Sequence, residues 1–358
     1  MIVWPGLRRF ISTVQRLFNS ASFYAPLTHS LVLDRGTGSP TFTRATAATV
    51  LGYGPTANSG DSQTLLTVAA NEARFVGARR ISEGVWSDTF ADGTPIPSST
   101  LLGYLAEGAR TNHFIQSDTP ATQTSGSLGT GTYTLWVDGS GSIAVAGATA
   151  TITGAGTATS SSSVTFTVTV AGTVTYTVTG SPTRAQSENG AFRSSYIPTT
   201  TTAVTRNADI LTYSGGDIPN LKTLSATFKR EVGVAPASAA ILALDDATAN
   251  NYNLMYIANA SGTTFSGVRS GAGQWSQATS NTYTAGTFST MAVSSATNDV
   301  KMAKDGVAQT QDTSATPPTV TQLCVGHQIN LFQLNGNVGG IYGWTRNFSQ
   351  SELNAVTA

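Results

Sequence analysis

The sequence predicts a mostly β chain, in which an N-terminal helix and an irregular platform precede two antiparallel β-sandwich (jelly-roll) domains. Three observations predict it. Only 11% of the 358 residues are charged, against roughly 25% in an ordinary soluble domain. Gly, Ser and Thr take their place, and Thr favours strands while Gly favours turns. Runs of alternating apolar and polar residues recur between Gly-bearing turns at roughly 8–12-residue spacing, the pattern of short antiparallel strands. A helical period shows only near the two ends. Disorder, the competing reading of Ser/Gly richness, is opposed by a hydrophobic content of 40% and by the regular alternation.

Composition also narrows the function classes. Lys+Arg and Asp+Glu balance at 19 each. Phosphate contacts dominate nucleic-acid affinity, so no nucleic-acid partner is expected. A charge-poor chain has little electrostatic protection against self-association, which suits a subunit buried in an assembly. Cys324 is the single cysteine, which rules out an intrachain disulfide. In LCVG it reads as a small buried hydrophobe on a strand. No run approaches the ~18 apolar residues of a membrane span. Arg8 and Arg9 interrupt the N-terminal apolar stretch and do not precede it. No signal peptide is therefore expected, and synthesis in the cytoplasm without secretion.

Taken in order, residues 1–20 form a helix. Pro5 suits its first turn, and Phe10, Val14, Leu17 and Phe18 fall at i, i+4, i+7 and i+8 on one apolar stripe. Such a basic amphipathic helix can lie on a membrane surface, dock into a groove on a neighbouring protein or pack on its own domain. Docking is preferred, because nothing else in the chain supports membrane binding. Residues 21–112 are extended and irregular, broken by turns such as YGPTANSGD and DGTPIPSS. Residues 113–192 carry the cleanest period-2 signal. Val164, Phe166, Val168 and Val170 fall on one face of a strand, and Thr165, Thr167 and Thr169 on the other. Five runs of this kind, each ended by glycine, read as a small sandwich. Residues 193–206 are an extended connector, where Pro198 fixes φ and a run of threonines favours extended backbone. Residues 207–358 give a second sandwich, with a hairpin turn at Asp305-Gly306. A short terminal helix follows, capped by Ser349 with Glu352 three residues on.

Several motifs stand out along this path: TFTRAT at 41–46, ARF at 73–75, LLGYLAEGARTN at 101–112, AQSENGAF at 185–192 and SYIPTTTTAVTRNAD at 195–209. In this order they resemble a module that recurs in bacteriophage virion proteins ahead of a laminin-G/concanavalin A-like domain. The closing GNVGGIYGWTRNFSQSELNAV resembles the last strand and helix of that domain. The resemblance implies a virion appendage (tail fibre, spike, head fibre or decoration protein). Residues 21–112 would be its virion-proximal platform and 113–192 a carbohydrate-binding-module-like sandwich. It also implies virion proteins (capsid, portal, adaptor or tail) as partners, a homotrimer, and host-surface polysaccharide as a ligand of the outward face.

The catalytic search returns little. His29, His113 and His327 are far apart and sit beside no recognisable nucleophile or metal-ligand spacing. A glycoside hydrolase needs two carboxylates roughly 5–10 Å apart. The candidates are Asp245, Asp246 and, more distantly, Asp299 or Asp305, and adjacent strand residues such as Asp245 and Asp246 point to opposite faces. The chain is therefore read as a non-enzyme, with a hydrolase or depolymerase as the rival reading. The loop DDATANN offers Asp245, Asp246 and Asn250 as oxygen ligands for a calcium ion, against the plainer reading of a solvated turn. Sugar binding needs aromatic platforms beside polar groups, and the candidates are Trp275, Tyr252 and Tyr256 with Gln274 and Gln277. Tyr283 is a further loop aromatic. Trp86 reads as a packing anchor, and Trp136 and Trp344 as core.

Overall fold

The structure, a computed structural model, describes residues 13–231, 238–257, 263–271 and 274–358; the side chains of Thr13 and of residues 274–281 fall outside the description. The chain is mostly β, built from antiparallel sheets that pack as sandwiches.

Two large sheets face each other. One runs Val307–Ala308, Asp299–Lys304, Ser289–Ala296, Thr223–Arg230, Gly336–Trp344, Gly103–Ala106 and Phe75–Val76, with Phe23–Ala25 also paired to Gly336–Trp344. The other runs Ser39–Thr43, Ile210–Ser214, Gln322–Val325, Ala239–Asp245, Tyr252–Ile257, Thr263–Ser270 and Gln274–Thr282. Their inner faces make the main core. Phe228, Met291, Val338 and Ile341 come from one side, and Tyr213, Leu242, Met255 and Val325 from the other.

Residues 21–112 are interleaved with this sandwich. Ser39–Thr43 pairs with Ile210–Ser214, and Gly103–Ala106 and Phe23–Ala25 both pair with Gly336–Trp344. The stretch read as a platform thus contributes strands to both sheets. In these three pairings the partner lies more than a hundred residues away, which local patterning cannot show. Gly103 sits at φ +93°, and a Cβ there would lie 2.4 Å from the Val338 carbonyl oxygen, so the close pairing requires glycine.

The middle sheet runs Thr151–Thr153, Val164–Val170, Gly131–Gly147, Val174–Asn189, Arg110–Asn112 and Val204–Arg206. Phe166 and Val168 are buried as the alternation predicts, while Val170 is exposed. Two of the five glycine-ended runs, TYTLWVDG at 132–139 and SIAVAG at 142–147, form one strand, Gly131–Gly147. A bulge at Asp138/Gly139 bends it without ending it. Gly139 takes φ +89°, and a Cβ there would sit 2.6 Å from the Thr183 amide nitrogen. Glycine here marks a bend and not a strand end.

The two helices meet. α1 (Thr13–Asn19) and α2 (Gln350–Thr357) pack around Trp344 and Phe348. The capping box at Ser349 and Glu352 is formed, and Asp305 and Gly306 both take positive φ in their hairpin. Phe10 lies outside the described residues. The structure corrects the docking role of Leu17 and Phe18. Leu17 is buried, and the Phe18 ring lies 4.5 Å from Tyr342 and 6.4 Å from Trp344. Trp344 Nε1 donates to Leu17 O at 3.0 Å. Leu17 and Phe18 cover the chain's own aromatic patch, and Val14 is the exposed member of the stripe. The stripe was visible in the sequence, but its partner, 327 residues away, was not.

Candidate functional site

The motif residues come together before any ligand is considered. Arg44 of TFTRAT donates to Asp209 at 2.9 Å. Arg74 of ARF reaches Glu107 at 2.8 Å, Ser195 at 2.7 Å and also Asp209. Arg206 donates to Glu107 and, at 2.7 Å, to Gly108 O. Ser195 closes the ring by donating from its backbone N–H and its hydroxyl to the Glu107 carboxylate, at 2.8 and 2.6 Å. The five charged side chains are 0–4% exposed. Burial alone would raise the Glu107 pKa, but Arg206, Arg74 and the Ser195 donors hold its carboxyl well below the usual range. In the middle sandwich, Glu188 of AQSENGAF accepts from Trp136 Nε1 and the Ser194 backbone N–H, both at 2.9 Å. The connector 193–206 is pinned at both ends by these contacts. None of the charged members was named as a site residue from sequence. The available signal was one or two charges inside each motif of a charge-poor chain.

The glycan candidates lie on the outer face of the second sheet. Tyr252, Leu254 and Tyr256 alternate onto that face over Ala240, Ala243 and Cys324. With Ser238, Gln328 and Phe332 they line a shallow pocket of about 180 Å³. Phe332 is 48% exposed, and Tyr256 stacks on Phe265 with centroids 5.3 Å apart. Burial pushes the Tyr256 hydroxyl up to about 12, so it stays protonated. Pairing extends this face. Tyr252 opposes Arg269, which opposes Trp275, and Leu254 opposes Gly267, which opposes Gln277. Register therefore sets Trp275 and Gln277 on rows shared with the tyrosine strand, with Gln274 one position outward opposite Ser270. The side chains of Gln274, Trp275 and Gln277 fall outside the description. Tyr283, expected on a loop, is buried, and its hydroxyl accepts from the Arg230 backbone N–H at 2.7 Å.

The proposed calcium ligands do not fit a cation. Asp245 is buried and accepts from Gln322 Nε2 at 2.7 Å, from the Ala247 N–H at 2.9 Å and from the Cys324 thiol at 3.4 Å. Burial raises its pKa. Asp246 accepts from the Thr248 N–H and hydroxyl with one oxygen and from Asn251 Nδ2 with the other. Asn250 donates its backbone N–H to Thr248. The two carboxylates answer to separate donors, and a metal would have to displace them. Among the described residues no group of three His, Cys, Asp or Glu could hold a metal. Asp299 and Asp305 lie at the ends of a strand in the other sheet, paired with Lys301 at 2.5 Å and Lys304 at 2.9 Å. Asp245 opposes Tyr252 in register, and Asp299 and Asp305, on the other sheet, supply it no second carboxylate.

The histidines are engaged in structure. His113 Nε2 lies 2.8 Å from Asn189 Oδ1. His327 is fully buried; its Nε2 lies 3.0 Å from Leu211 O and its Nδ1 accepts from the Asn330 N–H at 3.3 Å. Protonating Nδ1 would break the second bond, and burial lowers the pKa from 6.5 to about 4. The unfolded chain takes up this proton first as pH falls, so stability is lost between about 6.5 and 4. The full loss is about 3 kcal/mol. Urea titrations of the wild type across that window should show it, and His327→Gln should flatten it. An unchanged slope in the variant would assign the loss elsewhere.

No protein family and no curated protein matches the sequence. Among solved structures, a sialidase carbohydrate-binding module of Ruminococcus gnavus bound to α2,3-sialyllactose is similar at 17% identity. That match covers 38% of this chain and 83% of the module, with a TM-score of 0.33. A leech intramolecular trans-sialidase matches at 17% identity over 38% of this chain and 23% of its own, with a TM-score of 0.32. A pentraxin of Limulus polyphemus matches at 12% over 38% and 70%, with a TM-score of 0.29.

Proposed function

We propose that this chain is a non-enzymatic subunit of a bacteriophage virion appendage, a fibre or spike protein, and that its tyrosine-bearing sheet face binds host-surface glycan. The observation that carries the reading is the convergence of the motifs. TFTRAT, ARF, LLGYLAEGARTN and SYIPT-to-NAD are separated by up to about 165 residues, yet each contributes a side chain to one buried ring of charge. Tripeptides matched by chance have no reason to meet, so the ring supports a shared architecture with the virion module that the motifs resemble. Repeated copies on a particle make weak sites sufficient. A site near millimolar, roughly −4 kcal/mol, gains orders of magnitude in avidity when several copies engage one surface. Homotrimeric assembly and contact with capsid, portal or tail proteins belong to the same reading. Among the described residues no helix is long and apolar enough to cross a membrane.

Cryo-electron microscopy of the particles made by the encoding phage tests the placement. Density for the sandwiches on the particle surface is the expected result, and absence of the chain from purified particles would overturn it. A glycan array tests the ligand. Retained glycans should be lost on Tyr256→Ala, with the fold intact by circular dichroism. Equal retention would remove the tyrosine face from the site.

A further inference from the structure

A cleft of about 710 Å³ opens where the hairpin of Ala48–Gly52 and Thr64–Val68, the bend of the middle sheet and the strand Gly336–Trp344 meet. It shares no residue with the tyrosine face. One wall is apolar: Leu51, 50% exposed, stands opposite Leu65 in the hairpin. Thr64–Val68 pairs with Ala48–Gly52 on one side, and its other edge has no strand partner among the described residues. Its first residues line the cleft. An unpaired strand edge is a row of backbone donors and acceptors.

The facing wall carries charge. Arg193 donates to Asp138 at 2.9 Å, and its guanidinium lies 3.8 Å from the Trp136 ring centroid. Arg184 lies 5.8 Å from the Tyr196 ring centroid and approaches Asp138 only to 3.8 Å, with no hydrogen bond from its guanidinium. Two cations thus share one carboxylate, and one guanidinium keeps its donors. Deeper in, Asn337 is 1% exposed and its Nδ2 has no hydrogen-bond partner. Glu231 lines the same cleft.

We propose that this cleft binds an extended segment of a partner protein that carries an Asp or Glu beside an apolar residue. The segment adds to the free edge of Thr64–Val68, seats its apolar side chain against Leu51 and Leu65, and places its carboxylate on Arg184. Strand addition supplies main-chain hydrogen bonds, and pockets for alternate side chains supply specificity. A guanidinium fork matches a carboxylate in a paired geometry. The leucine wall disfavours a sugar, whose rim is hydroxyl.

The test uses the full chain and two dye-labelled peptides in fluorescence anisotropy, acetyl-Val-Leu-Asp-Leu-Val-amide and its Asn counterpart, with tetragalacturonate as a competitor. The Asp peptide should bind, and the Asn peptide about tenfold more weakly, the effect of one charge-assisted bond. Arg184→Ala should equalise the two peptides. Glu231→Gln, which removes a like charge without touching the edge, should tighten the Asp peptide severalfold. Failure of both peptides to bind, equal affinity for both, or no response to either variant would overturn the proposal. Displacement by tetragalacturonate at lower concentration than unlabelled Asp peptide would overturn it in favour of an acidic glycan.

Discussion

Asp209→Ala is expected to destabilise the fold by about 3–5 kcal/mol, the effect of breaking one member out of a buried ion cluster. Asp209 accepts from Arg44, from Arg74 and from the Glu107 backbone N–H. Its removal leaves Arg44 with only the Thr46 and Ala69 carbonyls and leaves Arg74 to share Glu107 with Arg206, all three guanidinium groups being 0% exposed. Burial already lowers the Arg44 pKa, and Asp209 opposes that shift most. The loss is large against a typical net stability of roughly 5–15 kcal/mol, so thermal or urea unfolding reads it directly. A change below about 1 kcal/mol would mean that water reaches the cluster and screens it as at a surface. The same ring gives an acid limb. Glu107 is held below its ordinary value of 4.5, so its contribution is whole above that pH and is lost as pH falls below it. This window overlaps only the acid end of the one set by His327, and His327→Gln separates the two.

Trp344→Ala should cost about 3–5 kcal/mol, the usual range for deleting a buried tryptophan. The indole is 1% exposed, stacks on Tyr342 and lies against the tilted rings of Phe348 and Phe18, and its N–H is the donor to Leu17 O. Its loss removes the surface on which both α1 and α2 sit. Deleting residues 1–20 should mimic part of this effect by exposing the same patch. The expected signature is a drop in midpoint and a loss of near-ultraviolet signal from the Phe18–Trp344–Phe348 group. An unchanged midpoint in the deletion would return α1 to the role of a free docking element.

Local chemistry and tertiary contacts act over different ranges of the chain. Ser349 and Glu352, Asp305 and Gly306, and Phe166 and Val168 behave as their local chemistry requires, because capping, turn geometry and strand alternation act within a few residues. Gly139 misled for a related reason: glycine allows a strand to end or to bend, and only the partner strand decides between them. Leu17 and Phe18 form an apolar stripe in either role, and sequence cannot say which surface covers it.

By itself the sequence determined the β class, the strand faces, the terminal cap and the low charge, all set by composition and by periods of two to four residues. It also marked the motifs that hold these few charges. Only the tertiary structure decided that residues 21–112 thread into both sheets of the second sandwich. It likewise decided that Arg44, Arg74, Glu107, Arg206 and Asp209 close one ring, that Asp245 lies on the tyrosine face bonded to Gln322 and Cys324, and that Tyr252 and Trp275 share a row. Those outcomes depend on register between distant strands, where a shift of one residue reverses every face.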